Sequence, residues 1–345
     1  MDPAGVYKST YEQDMAVVRT FPQWGVLIAA VILLFCSPLL LPNYLLGLMT
    51  QMGCVIIAAF GIQILTGYAG QVSVGHAAFF ATGAYSGAIL MAQLHFPFLL
   101  ALVSAGFIAG LVGVIAGAPS LRVKGFYLVM GTLAGHYIIH YVILRWRSLT
   151  GGSLGYQFPA ASFFGLSINT EVRHFYLVMI VLLIATVAAK NIVRTRMGRA
   201  FVAVRDNDLA ANVMGINVWL VKFQAFFVGC FFAGVGGALW AHWAGSITPG
   251  LFPLMNGIWY LGYIIIGGLG SIVGCFFGVI TVMGLMEVLS RVLPAVDPSL
   301  TGFVAAGTDV FFGLVIVLML IFEPRGLAHR WEIFKSWYRI WPLAY

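Results

Sequence analysis

Charge is what this sequence has least of. Asp, Glu, Lys and Arg make up 8% of its 345 residues, where a soluble domain carries about a quarter. None of the four occurs between Arg19 and Arg122, and none between Lys222 and Glu287. Such a chain cannot cover a water-facing surface, which excludes a soluble enzyme or a soluble binding module. It reads as a polytopic membrane protein, whose spans must be helices or a closed barrel because lipid offers no partner to a free backbone group. Barrel strands alternate apolar and polar residues. The apolar runs here are long and continuous, so the fold class is all-α.

Other absences narrow the function. Cys36, Cys54, Cys230 and Cys275 all sit inside apolar runs without CxxC spacing, a pattern of packing rather than of disulfides or metal ligation. His136 and His140 share a helix face but have no third ligand nearby in sequence, so polar lining or packing is favoured over a metal site. A phosphate-binding loop needs glycines and a lysine. "GGLGSIVG" (267–274) has the glycines alone, so this chain is expected to bind no ATP and no cofactor itself. Asp2, Glu12 and Asp14 spoil the basic start of a cleavable signal peptide, leaving the first span as the insertion signal. The net charge of +7 lies in loops between spans, the pattern left by membrane insertion rather than by nucleic-acid binding.

Ten apolar runs approach the roughly 20 residues that a span needs: 24–41, 44–65, 71–92, 97–117, 125–144, 174–190, 220–243, 254–267, 272–290 and 303–321. The third is rich in Gly and Ser and the eighth is short. Either can be broken or re-entrant where it faces protein or a watery cavity. With the N-terminus in the cytoplasm, 14 of the 18 Lys and Arg fall on the inner side. The outer side holds only Arg145, Arg147, Arg173 and Arg291. That bias sets both termini inside. The chain then reads as one transmembrane domain, 1–345. It has a cytoplasmic N-terminal segment (1–23), an outer loop (145–173), a cytoplasmic loop (191–219) and a cytoplasmic tail (322–345). The tail is aromatic and basic, as an interfacial helix would be, and contact with a partner subunit is the other use open to it. Gly106, Gly110, Gly113 and Gly117, and again Gly270, Gly274 and Gly278, mark faces where helices can approach closely.

The cytoplasmic loop is the most polar stretch of the chain. Arg205 and Asp206 precede an expected short surface helix over 206–215, with Asp206 as its N-cap and Asp208 adding charge to its first turn. Asn207 lies between them. Leu209, Ala210, Val213 and Met214 fall on one apolar side, and Gly215 suits a left-handed C-terminal position. The residues alone leave two readings open: a helix folded back on the protein or the lipid interface, or a helix that docks into a groove on a partner.

A second polar cluster opens the third span. Tyr68, Gln71, Ser73 and His76 are followed by Thr82 and Tyr85, with Gly67, Gly70, Gly75 and Gly83 between them. Intramembrane polar groups are expensive. These residues, with His136, either line a translocation path or form a glycine-packed junction whose polar groups satisfy one another.

The stretch "RMGRAFVAVRDNDLAANVMGINVWLVKFQAFFVGCFFAGVGGALWAH" (196–242) resembles the cytoplasmic loop and following span of the permease subunits of branched-chain amino acid-type ABC importers, LivM-like in particular. "LTGYAGQVSVGHAAFFATGAYSGAIL" (65–90) resembles the family's early motif. "LRVKGFYLVMGTLA" (121–134), "LTGGS" (149–153), "IIGGLGSIVGCFFG" (265–278) and "FEPRGL" (322–327) follow in the family's order. The resemblance covers about residues 44 to 328. It implies a pseudo-symmetric fold of about ten spans in a bacterial inner membrane. It implies partners too: a second homologous permease, two cytoplasmic ATPase subunits that hold ATP and Mg, and a periplasmic binding protein. The stretch from Arg205 to Gly215 becomes the coupling helix that meets the ATPase. Thr150, Gly151, Gly152 and Ser153 belong to the periplasmic loop.

Two departures from the family pattern bear on the substrate. No acid follows "TLA" in "GHYIIHY", and Leu154 stands where the family usually has Asp after "TGGS". An amino acid or related small organic solute is implied, with urea or an aromatic carboxylate as alternatives. Secondary transport and a channel are the competing mechanisms. Ion coupling usually needs ionisable groups in the membrane, and the early spans offer only His76 and His95. Glu287 and Asp309 lie near predicted span ends. A pore lined by His76 or His136 would suit a small neutral solute. The coupling-segment match counts against both.

Overall fold

The structure, a computed structural model, describes residues 21–117, 125–158, 162–163, 166–167, 170–296 and 301–340. The expected N-terminal segment (1–23) falls almost wholly outside them, as do Arg122, Lys124 and the end of the tail. The described helices are α1 (Phe21–Leu40), α2 (Asn43–Ile62), α3 (His76–Ala92), α4 (Phe98–Gly117), α5 (Phe126–Arg145), α6 (Glu171–Arg194), α7 (Arg196–Asp206), α8 (Asp208–Val213), α9 (Val218–Ala244), α10 (Leu254–Gly267), α11 (Ile272–Val296), α12 (Thr301–Phe322) and α13 (Leu327–Ile340). A π-helical turn, Gln63–Tyr68, extends α2.

Each of the ten expected apolar runs falls on a helix, the third only from His76 onward. Among the described residues, seven helices are long and apolar enough to cross a bilayer. An eighth is made if Asp309–Phe322 and Leu327–Trp337, bent by 41°, count as one. α1, Phe21–Leu40, is apolar over Trp24–Leu40. The third expected span, 71–92, is helical only from His76, for 17 residues. Residues 69–75 leave the helix, and Gly70 turns at φ +68°, a conformation that costs glycine little. Non-helical backbone survives at this depth only if its polar groups find protein partners. They do: Gln71 N–H donates to the Leu65 carbonyl at 3.0 Å, Val74 N–H to Thr132 Oγ1 at 3.2 Å, and Thr66 Oγ1 to the Gln71 carbonyl at 3.0 Å.

α9 is the axis of the bundle. Gly61 of α2 faces the Gly229 carbonyl, Gly83 of α3 faces Gly234, and Gly237 faces the Phe80 carbonyl. At each position a Cβ would collide with backbone, which has no rotamer to escape into. On the α4 side the roles reverse. Gly106, Gly110 and Gly117 receive the Phe231, Phe227 and Phe226 rings, and Gly113 receives Cys230. The expected small-residue stripe of the fourth span is thus the socket for a ridge of α9. Gly274 and Gly278 bring α11 against the backbone of α10 at Gly267 and Tyr263. Lipid tails are as apolar as leucine, so these helices are held by close van der Waals contact rather than by a hydrophobic drive.

Short strands close the end where α9 finishes. β1 (Tyr156–Gln157) pairs antiparallel with β4 (Ser246–Ile247), and β2 (Ser162–Phe163) with β3 (Leu166–Ser167). Trp243 Nε1 donates to Glu171 Oε2 at 3.0 Å, joining α9 to the start of α6.

Two glycine substitutions separate packing from propensity. Gly237→Ala places a methyl against the Phe80 carbonyl and is expected to destabilise by about 1–3 kcal/mol through overpacking. Gly284→Ala meets nothing within 4 Å and is expected to be neutral, or to stabilise by about 0.5–1 kcal/mol through helix propensity. Thermal unfolding in detergent checks both. Equal effects would remove α9 from its central role.

Candidate functional site

Three helices line an open vestibule of about 470 Å³. α2 contributes Leu48, Gln51 and Val55, α10 contributes Asn256, Trp259, Tyr260 and Tyr263, and α11 contributes Met283, Met286, Glu287 and Ser290. These spacings of three and four place each set on one helix face. The lining runs along each helix for about seven residues, or about 10 Å of depth. Phe80, Trp240, Leu251 and Phe252 complete the wall. The cavity opens at the end of the bundle that carries β1 and β4. At its floor Phe80, Tyr260 and Tyr263 are buried, with the Phe80 and Tyr260 ring centroids 5.8 Å apart.

The vestibule is aromatic, and its one acid is engaged. Glu287 Oε1 accepts from Arg291 Nε at 2.8 Å and from the Tyr44 hydroxyl. The Arg291 guanidinium lies 3.7 Å from the Tyr44 ring centroid, a cation–π contact. Asn256 Nδ2 donates to the Leu251 carbonyl at 3.0 Å. Rings and thioethers offer an organic solute broad contact, while Gln51, Asn256 and Ser290 supply a few polar groups. Pockets that bind small molecules have this composition.

None of the polar residues singled out near the third span lines this vestibule. His76 is fully buried behind Tyr260, ring centroids 5.7 Å apart, and its Nε2 donates to the Ala58 carbonyl at 3.0 Å. Ser73 is buried, and Thr82 Oγ1 donates to the Ala78 carbonyl at 2.8 Å. Tyr85 packs on Phe252 at 6.2 Å. His136 is buried and stacks on His140 at 6.1 Å. Tyr68 is half-buried in the π turn. Most of the cluster therefore sits in the junction of α3 with its neighbours.

Gln71 instead lines a second cavity, about 300 Å³, at the opposite end. There Arg205, Asp206, Asn207, Asp208 and Lys222 surround it, and Gln71 Nε2 donates to the Lys222 carbonyl at 3.3 Å. Lys222 Nζ lies 3.8 Å from Asp208 Oδ2.

The surface helix is present one residue later than expected. Its N-cap is Asn207, whose Oδ1 accepts from Ala210 N–H at 3.0 Å. Asp206 is not the cap. It ends α7 and pairs with Arg205 at 2.9 Å, because the chain turns extended only at Asn207, φ −159°. Asp208 stands in the first turn, and Gly215 takes φ +84°. Ala211 is buried against the protein, whereas Leu209, Val213 and Met214 are 72, 86 and 80% exposed and Ala210 is also exposed. The apolar side thus turns outward rather than folding back.

Thr150 is structural. Its buried Oγ1 donates to the Ile143 carbonyl at 2.6 Å and sits 2.8 Å from the Trp146 carbonyl, closing the end of α5. Gly151 and Gly152 turn at φ +75° and +60°. Ser153 and Leu154 are exposed beside them.

The sequence reading missed the vestibule. Its signal was available in α10, where Asn256, Trp259, Tyr260 and Tyr263 interrupt an otherwise aliphatic helix at one-face spacing.

A family model described as the branched-chain amino acid transport system / permease component matches residues 44–320. The chain is 28% identical over 325 residues to the high-affinity branched-chain amino acid transport system permease protein LivM of Escherichia coli (strain K12), covering 87% of this chain and 74% of that one. It is 26% identical over 298 residues to the corresponding LivH protein of the same strain, covering 81% and 92%. To BraD of Pseudomonas aeruginosa, also a branched-chain amino acid transport system permease protein, it is 31% identical over 151 residues, covering 41% and 43%. No solved structure matches the chain.

Thiol labelling tests the vestibule. Cys54, Cys230 and Cys275 are buried and Cys36 is exposed, so a Cys36→Ser background should be silent. In it, Gln51→Cys and Asn256→Cys are expected to react readily with a small charged thiol reagent, and Ser73→Cys to resist. Equal reactivity at all three positions would refute the cavity as drawn.

Proposed function

Because the chain belongs to the branched-chain amino acid transport permease family, we propose that it is the membrane subunit of an ATP-driven ABC importer and forms half of its translocation path. The observation that carries this reading is the outward-facing apolar side of α8, Leu209, Val213 and Met214, at the opposite end of the bundle from the vestibule. A small capped helix with bare apolar side chains suits insertion into a groove on a partner. That partner is an ATPase subunit, present twice in the assembly and holding the ATP and Mg that this chain has no loop to bind. A second, homologous permease supplies the other wall of the open vestibule.

Orientation follows from the 14-to-4 distribution of Lys and Arg. α8 and both termini face the cytoplasm, the vestibule faces the periplasm, and the membrane is a bacterial inner membrane. A periplasmic binding protein delivers the solute at the vestibule mouth. The wall of Trp240, Phe252, Trp259 and Tyr260 suits an amino acid with an apolar side chain better than it suits urea. Glu287, the vestibule's one acid, is engaged by Arg291 and Tyr44, which favours ATP-driven movement over a proton-coupled carrier. Gln71, in the second cavity, belongs to the inner part of the path.

The test is co-purification from membranes, followed by ATP-dependent uptake in proteoliposomes. Unaltered protein is expected to bring down two ATPase subunits. Leu209→Arg with Val213→Arg should leave the bundle folded and weaken that association by roughly 30-fold or more, the effect of losing an interface hot spot. Unchanged association would remove α8 as the docking element.

A further inference from the structure

The three helices that line the vestibule are gripped together at their other ends. Gln63, fully buried in the π turn that ends α2, donates from Nε2 to two carbonyls, Gly268 and Ser271, each at 2.9 Å. Those carbonyls belong to the turn between α10 and α11. A few residues on, the Gly67 backbone presses against Gly270: a Cβ on Gly67 would stand 2.8 Å from Gly270 N. Arg205 then closes the cluster. Its Nη1 donates to the Gly67 carbonyl at 2.9 Å, and its stem packs on Gly70, whose Cβ would stand 2.8 Å from Cγ.

The chemistry of this cluster is specific. The last carbonyls of a helix lack intrahelical donors and carry partial negative charge. Arg205 brings a permanent cation to that end of the α2 span. Its Nε is taken by Asp206 Oδ1 at 2.9 Å, which fixes the plane of the guanidinium. Arg205 is also the penultimate residue of α7, two positions before the cap of α8. A displacement of α8 reaches the guanidinium with almost no intervening chain.

We propose that Arg205 and Gln63 are positioning residues that form a transmission joint, carrying movement of the α8 surface helix to the clustered ends of α2, α10 and α11 and so to the vestibule floor. The proposal rests on the importer reading above. Gln63 is fully buried, and Arg205 commits its Nη1 to the Gly67 carbonyl. Arg205 joins the surface helix to α2, and Gln63 joins α2 to the α10–α11 turn, so that a displacement of the surface helix reaches each of the vestibule walls.

The experiment measures solute taken up per ATP hydrolysed by the whole complex in proteoliposomes. In Arg205→Ala the ATPase subunits are expected to stay bound and active while uptake per ATP falls about tenfold, a typical coupling effect. Arg205→Lys should restore part of the loss, because it returns a charge but not the planar fork. Normal uptake per ATP in Arg205→Ala, alongside failure of the α8 double variant, would overturn the joint and leave the importer reading standing. Absence of ATP-dependent uptake by the unaltered complex would overturn both. If Arg205→Ala fails to assemble, Gln63→Met, which keeps the volume and removes both donors, is read the same way, and full coupling in it overturns the joint.

Discussion

Backbone contact along α9 is the constraint on which this structure depends. Inside a bilayer the hydrophobic effect that holds a soluble core together is absent between helices, so their association must come from close packing. The chain meets that demand by removing side chains where helices cross. Gly61, Gly83 and Gly237 let α2, α3 and α9 touch backbone to backbone, and the α4 glycines accept three phenylalanine rings and Cys230 from α9. Contacts of this kind have no slack. They make α2, α3, α4 and α9 a rigid block, and the vestibule lies along its α2 edge, where α10 and α11 complete the wall.

The irregular backbone follows the same logic. Residues 69–71 and the turn at 268–271 lie at the α8 end of the bundle, near Arg205, and residues 72–75 run inward until Val74 meets Gly257 of α10. Each is a place where a helix stops inside protein and its polar groups are met by side chains: Thr66, Thr132 and Gln63 among them. Glycines there bring three chain segments within reach of one arginine. At the vestibule end the demands differ. Rings line the space, Thr150 seals the end of α5, and Glu287 is ion-paired with Arg291 and accepts a hydrogen bond from Tyr44. One end leaves the apolar side of α8 bare, and the other carries the aromatic cavity.

Much of this was legible in the residues. Continuous apolar runs gave away the helices, because nothing competes with helix formation where lipid offers no hydrogen bonds. The polar loop at 194–219 announced a surface helix, and Gly215 its end. The cap slipped by one residue because Asp206 and Asn207 are both good caps, and local propensity does not say which of them the chain turns at. The polar residues of 68–85 were conspicuous in sequence for their cost in lipid, yet most of them are buried in the junction of α3 with its neighbours, where His76 Nε2 meets the Ala58 carbonyl. The vestibule escaped notice for the opposite reason. Trp, Tyr and Met are apolar enough to pass as core, and only three distant helices brought side by side reveal a shared face.

The central claim is that the vestibule and the α8 surface helix are two ends of one mechanical unit. Electron spin labels at Leu48 and Ser290, on the α2 and α11 walls of the vestibule, test it most directly in the assembled complex. Trapping the ATPase in its ATP-bound state should shift the distance between them as a discrete second population. A single unchanged distance, in a complex that hydrolyses ATP and transports solute, would contradict the account.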